Sequence, residues 1–150
     1  MAIDFDAVRA GLEQAIPFNR HLGLEMVAVT DGSGSVRLPD DPNLLNHVGS
    51  QHAGALFAVA EAASGAAFVG AFVERMGTIT PLVKSASIDY RRLAKGPILA
   101  TGTLSDDKAA LLERLDAHGS VEFSIQVSLR DADDRDVAAM TADWHVRQKS

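Results

Sequence analysis

The stretch LNHVGSQHAGALFAVAEAASGAAFVGAFV, residues 45–73, decides how this chain is read. It opens as a polar loop punctuated by glycine. From Ala53 it becomes an almost unbroken run of small and apolar side chains, more than half of them Ala, Gly or Ser, with one carboxylate, Glu61, in the middle. A helix that is apolar nearly all round must be enclosed, and small residues let it lie close against a sheet. The run is long enough to span a membrane. Glu61 would then sit near the bilayer centre at a cost of roughly 2.5–3.5 kcal/mol, so an enclosing sheet is expected and a membrane is not. A buried acid is costly in a folded core too, and the functional question is why Glu61 is there.

Short strands suited to wrapping such a helix lie on both sides of it. Residues 4–15 read as an amphipathic helix capped by Asp4, with Phe5, Val8, Leu12 and Ile16 at helical spacing. Pro17 ends it, and residues 18–22 form a turn or helical fragment. Residues 22–29 alternate with Leu22, Leu24, Met26 and Ala28 on one side. Asp31-Gly32 turns the chain into a returning strand at 35–38, which makes a hairpin. After the helix, Pro81 leads into a strand at 82–93, Gly96-Pro97 turns into another at 98–104, and residues 105–118 form a second amphipathic helix. Val121, Phe123, Ile125, Val127 and Leu129 then alternate with polar residues, the cleanest strand pattern in the chain, and Ala138, Met140, Ala142, Trp144 and Val146 face one way in the last strand. The expectation is an α+β fold in which six mostly antiparallel strands curl around one long helix.

Bulk properties narrow the function. The 150 residues suit one domain, residues 1–150, with a real core that is mostly aliphatic and alanine, since 47% of residues are hydrophobic and 5% aromatic. A net charge of −6 argues against a nucleic-acid surface. There is no cysteine, hence no disulfide framework and no thiol chemistry, and the five histidines show no metal-ligand spacing. The first residues lack the basic and apolar regions of a signal peptide, so a cytoplasmic protein is expected.

Asn46, Gly49, His52, Ala53, Gly54 and Glu61 together resemble the loop and helix of the phenylacetic-acid-pathway-type acyl-CoA thioesterases of the hotdog fold. That family places an Asn and a Gly before His-Gly-Gly, with an acid nine positions after the His. The segment Tyr90-Arg-Arg-Leu-Ala-Lys-Gly96 resembles its aromatic-x-Arg-Pro-Ala-Arg-Gly segment at a strand end. The likeness covers roughly residues 17–148. Three features depart from it: Ala53 stands where the family has Gly, Glu61 where this branch has Asp, and the helix at 105–118 looks like an insertion. With that helix the chain is similar to an uncharacterised subgroup of the superfamily. The resemblance implies hydrolysis of an acyl-CoA thioester. It also implies at least a homodimer, or a dimer of dimers, with Asn46 and Glu61 of one site coming from different subunits. No cofactor is implied beyond the coenzyme A of the substrate.

The residues themselves support the same chemistry. The first turn of a helix offers free N–H groups and a positive dipole end, so the amides of Ala53 and Gly54 can hold a developing oxyanion whatever their side chains. A carboxylate among apolar neighbours has a raised pKa, which suits a general base, or it can attack directly. Gly54, Phe57, Ser64 and Phe68 share the Glu61 stripe and with Gly49 would border the substrate. Arg91, Arg92 and Lys95, with Lys84, form a basic cluster that can hold the phosphates of coenzyme A. Plainer readings stand beside these. Glu61 can face a buried arginine or a partner subunit, Asn46 can be a turn residue, His52 a cap, Ser64 a donor to its own backbone, and the basic cluster a solvated face. A non-catalytic acyl-binding dimer whose inserted helix closes the tunnel, and a hydratase or dehydratase on the same fold, are the rival functions.

Overall fold

In the computed structural model, which describes residues 2–150, the central helix α3 runs Ala53–Phe72 and continues as a 3-10 segment, Val73–Thr78. Around it lie α1 (Phe5–Ala15), α2 (Pro17–His21), β1 (Glu25–Thr30), β2 (Ser33–Leu38), β3 (Ile79–Tyr90), β4 (Ile98–Leu104), α4 (Lys108–His118), β5 (Ser120–Arg130) and β6 (Asp136–Gln148). The six strands form one sheet in the order β1-β2-β4-β5-β6-β3, antiparallel throughout. The expected α+β hotdog architecture is what forms.

Helix and sheet meet through small residues. A Cβ on Gly102 of β4 would lie 2.6 Å from the Ala63 carbonyl oxygen, and one on Gly34 of β2 would lie 2.4 Å from the Ala66 Cβ. On the helix side, a Cβ on Gly70 would lie 2.0 Å from the Thr30 carbonyl oxygen. Real side chains cannot approach so closely, so glycine sets the helix–sheet distance at three places. Further along, Phe68 stacks on Trp144 with ring centroids 5.1 Å apart, and Phe72 stacks on Phe123 at 5.4 Å. The inward residues of β5 and β6 are those the alternation picks out.

Three local differences from the sequence reading have clear causes. A bulge between Met26 and Ala28 shifts the register of β1, so Val29 rather than Ala28 turns inward. Pro81 does not precede β3 but sits inside it, paired with Val146; β3 is an edge strand, where a missing N–H is tolerated. Helix α4 starts at Lys108, capped by the Asp107 side chain. It seals Leu111 and Leu115 against the sheet and is held by Arg75–Asp116 and Lys108–Asp31 ion pairs. No residue of α4 lines the cavity that holds Glu61, so α4 does not close a tunnel there.

The two sheet edges are treated differently. On β1, Arg9 Nη1 donates to the Met26 carbonyl at 3.2 Å and Glu13 Oε2 accepts from the Met26 N–H at 2.8 Å, so α1 covers this edge. Strand β3, twelve residues long, pairs only with β6 and leaves its outer edge open, with Leu82 55% exposed.

The close approach at Gly102 gives a direct test. Gly102→Ala forces a methyl into the Ala63 carbonyl and should destabilise the protein by about 1–3 kcal/mol, read as a lower midpoint in urea with an unchanged slope.

Candidate active site

The loop before α3 is built by its own polar groups. Asn46 Oδ1 accepts from the N–H groups of Val48 and Ser50, both at 3.0 Å, and Gly49 closes the turn with φ +75° and its N–H on the Asn46 carbonyl. Asn46 is therefore a turn residue in its oxygen and keeps only its Nδ2 for other work. His52 is the N-cap of α3: its Nδ1 accepts from the Gly54 N–H at 2.8 Å. The amide of Gly54, expected to face an oxyanion, is thus occupied by the cap, whereas the Ala53 N–H has no acceptor among the described residues.

Buried polar residues that the sequence reading passed over hold this loop. Ser50 Oγ donates to the Ala94 carbonyl and accepts from the Ala94 N–H, at 3.1 and 2.9 Å. Gln51 donates from its backbone to Ala94 and from Nε2 to the carbonyls of Pro39 and Gly96. Tyr90 Oη donates to the Ala53 carbonyl at 3.0 Å, and burial pushes its pKa up. These contacts pin residues 90–96 against the start of α3, and so bring Arg92 and Lys95 to that end of the helix. The basic residues then divide. Arg91 is paired with Asp136 and Lys84 with Glu122, while Arg92 and Lys95 have no acidic partner among the described residues. A loop serine and glutamine carry no spacing signal, so only the contacts reveal their part.

Glu61 stands on the least covered stripe of α3, in line with Ala53, Gly54, Phe57, Ala58, Gly65 and Val69. Its carboxylate is half-buried and makes no hydrogen bond or ion pair with any described residue, and burial raises its pKa. The plainer reading in which Glu61 faces a buried arginine is therefore not met by any described arginine, and its other form, a partner subunit, stays open. It lines a cavity of about 240 Å³ enclosed by Leu12, Ile16, Met26, Phe68, Met76 and Trp144 among others. Phe68 is in that wall; Phe57, 36% exposed, is not. Ser64 is fully buried and faces away from the acid: its hydroxyl donates to the Glu61 carbonyl and accepts from Trp144 Nε1. A second cavity of about 310 Å³ adjoins the start of α3 and includes His52, Gly54 and Phe18. Glu61 lies eight positions after Ala53, so their backbones are about 12 Å apart along the helix. No group of three or more metal-ligating side chains occurs among the described residues.

Comparison with other proteins identifies the family and the fold. A family model described as a domain of unknown function (DUF4442) matches residues 6–146. A Pseudomonas aeruginosa protein of unknown function, called a probable thioesterase, is 30% identical over 99% of both chains, with a TM-score of 0.87. The Haemophilus influenzae thioesterase HI1161 shares the fold at a TM-score of 0.75 and 16% identity, over 99% of this chain and 93% of its own. So does the Escherichia coli PaaI protein of the phenylacetic acid degradation operon, at 0.71 and 15%, over 94% of this chain and 90% of its own. No curated protein matches the chain in sequence. With nearly its whole length matched and the fold shared, the chain belongs to the DUF4442 family within the hotdog-fold thioesterase superfamily.

Proposed function

We propose that this protein hydrolyses an acyl-CoA thioester, with Glu61 as the general base or nucleophile. The observation that carries this reading is a carboxylate with no protein partner, desolvated in an apolar cavity. As a base, Glu61 takes a proton from water as the water oxygen bonds to the thioester carbon. The tetrahedral oxyanion forms on an N–H donor, the C–S bond breaks, and the proton passes to the departing thiolate, leaving free acid and coenzyme A. No cofactor beyond the coenzyme A of the substrate is required. The thioesterase names of the structural relatives support the reaction class.

We read the site as shared between two subunits. The oxyanion must sit within about 3 Å of its donor, yet the Ala53 amide and Glu61 of one chain lie about 12 Å apart along α3. A second chain antiparallel to the first brings the helix start of one against the acid of the other. With β1 covered by α1, the long open edge of β3 is the natural place for that pairing. A non-catalytic acyl-binding dimer is the second reading, favoured by the Gly54 N–H being already taken by His52. The two are separated by thiol release from a panel of acyl-CoA esters. Ligand-raised melting without thiol release supports binding alone.

Glu61→Gln should lower kcat by about 10²-fold or more, and the acid limb of the wild-type kcat/KM profile should lie above the ordinary carboxylate range. The same variant has a stability signature. Burial raises the pKa of Glu61 in the folded state, so the folded protein holds that proton more tightly than the unfolded chain, and stability falls as pH rises from the ordinary glutamate range through the raised value. Gln escapes this loss. Glu61→Gln should melt higher than wild type at neutral pH, and the gap should close in acid. Near-normal turnover of the variant would remove Glu61 from the chemistry.

Arg92→Ala and Lys95→Ala should weaken use of coenzyme A esters more than of pantetheine esters, which lack the nucleotide phosphates. Equal effects on both would show that these cations do not read the nucleotide.

The shared site is tested by mixing inactive chains. Asn46→Asp keeps the oxygen that holds the loop and removes the Nδ2 donor, so the fold should survive. Exchange of Asn46→Asp with Glu61→Gln chains should recover roughly a quarter of wild-type activity, since half the dimers are mixed and each holds one intact site. No recovery after verified exchange would mean that each site comes from one chain.

A further inference from the structure

One wall of the Glu61 cavity is not apolar. Asn19 of α2 borders it, is only 7% exposed, and its side-chain amide makes no hydrogen bond to any described residue; Nδ2 is fully sequestered. The backbone of Asn19 is satisfied, with its carbonyl accepting from the Leu24 N–H at 3.0 Å. The unmet need therefore belongs to the side chain alone. An amide buried without a partner is destabilising, and a leucine would fit this wall of Leu12, Ile16 and Met26 without that penalty.

We propose that Asn19 is a specificity residue that selects acyl groups carrying a hydroxyl along the chain over plain hydrocarbon chains. The inference rests on the proposed hydrolysis at Glu61, with the acyl chain lying in the apolar cavity that this acid lines. Three observations converge on it. The amide shares the cavity with Glu61, so a group attached to the reacting carbonyl can reach both. The cavity, about 240 Å³, exceeds the roughly 150 Å³ that accepts benzene, so there is room for a chain of several carbons. The remaining lining is almost wholly apolar and the Trp144 N–H is taken by Ser64, so among the described residues the amide is the one unpaired neutral polar side chain there for an oxygen on the ligand to meet. A hydroxyl both donates and accepts: Oδ1, which is not sequestered as Nδ2 is, can accept its proton, and a turn about the soft terminal amide torsion brings Nδ2 to the same place as a donor. Discrimination works through the unpaired partner. A plain chain leaves the amide buried and unmet, and a site built to bond a substrate hydroxyl rejects the analogue that lacks it.

The test separates binding from hydrolysis. Non-hydrolysable ketone analogues of octanoyl-CoA, with a methylene between carbonyl and sulfur, are made plain and with a hydroxyl at each successive chain carbon. Their affinities are measured for wild type and Asn19→Leu by calorimetry. At least one hydroxylated analogue should bind wild type about tenfold or more tightly than the plain one, and Asn19→Leu should abolish that gain while binding the plain chain as well or better. Ligand-free Asn19→Leu should also melt higher than wild type, because an unmet amide is replaced by an apolar group. A preference for the plain chain in wild type, a hydroxyl gain that survives in Asn19→Leu, or a variant that melts lower or fails to fold would each overturn the proposal. Thiol release from the parent esters is followed in parallel. Absence of release with the hydroxyl preference intact would end the hydrolase reading and leave the Asn19 subsite standing.

Discussion

The distance between α3 and the sheet is the constraint on which the rest of the molecule depends. Glycine at positions 34, 70 and 102 lets backbone meet backbone where any side chain would collide. With the helix this near the strands, alanine suffices to fill the gap, which explains a core low in aromatic residues over most of its length. On the side of β5 and β6, the Phe68, Phe72, Phe123 and Trp144 rings fill the interior as a stack. A dense interior responds to single methyl groups, so the position of everything carried by α3 is fixed by these contacts.

One consequence is that the sheet covers α3 on one side only. The strip from Ala53 through Phe57 and Glu61 to Val69 is left to the N-terminal helices and to whatever meets the open face. A charged residue is least costly on such a strip, and Glu61 lies on it. There the acid is partly withdrawn from water and has no ion pair with any described residue. Burial raises its pKa with no opposing cation, the condition under which a carboxylate becomes a better base at a cost to stability. The same strip carries the exposed side chain of Phe57, an apolar group that a second subunit would cover.

Much of the fold was legible because it is written in periodicities. The unbroken apolar run gave the helix, and strict alternation gave β5 and the inward face of β6. Legibility failed where a local event breaks the period, as at the bulge that turns Val29 inward, and where a strand tolerates Pro81 because it lies at an edge. The site was legible only in part. Glu61 stands out as a lone acid in an apolar run, and the capping possibility for His52 follows from its position just before a helix. That this cap occupies the Gly54 amide could not be read, because residue order does not say which acceptor an N–H will choose. Ser50 and Gln51 were invisible because all but one of the partners of their side chains lie more than forty residues away, at Ala94 and Gly96. Asn19 lies in a helix too short to show a face.

The occupied Gly54 amide bears on how such a site could work. His52 Nδ1 accepts from that N–H, so in the empty site the amide is already satisfied. A thioester oxygen arriving at the helix start would meet the free Ala53 N–H first. To use Gly54 as well, it would have to displace an exposed imidazole ring whose one side-chain hydrogen bond to a described residue is this one. A carbonyl oxygen competes poorly with an imidazole nitrogen for an amide donor, whereas a full oxyanion competes well, since bonds to charged acceptors are roughly twice as strong as neutral ones. The Gly54 amide would then be released only as charge develops. A donor engaged in the transition state and not in the ground state contributes to rate without tightening substrate binding. A cap on the Gly54 amide is therefore compatible with catalysis, and the alanine at position 53 costs nothing, because both donors belong to the backbone.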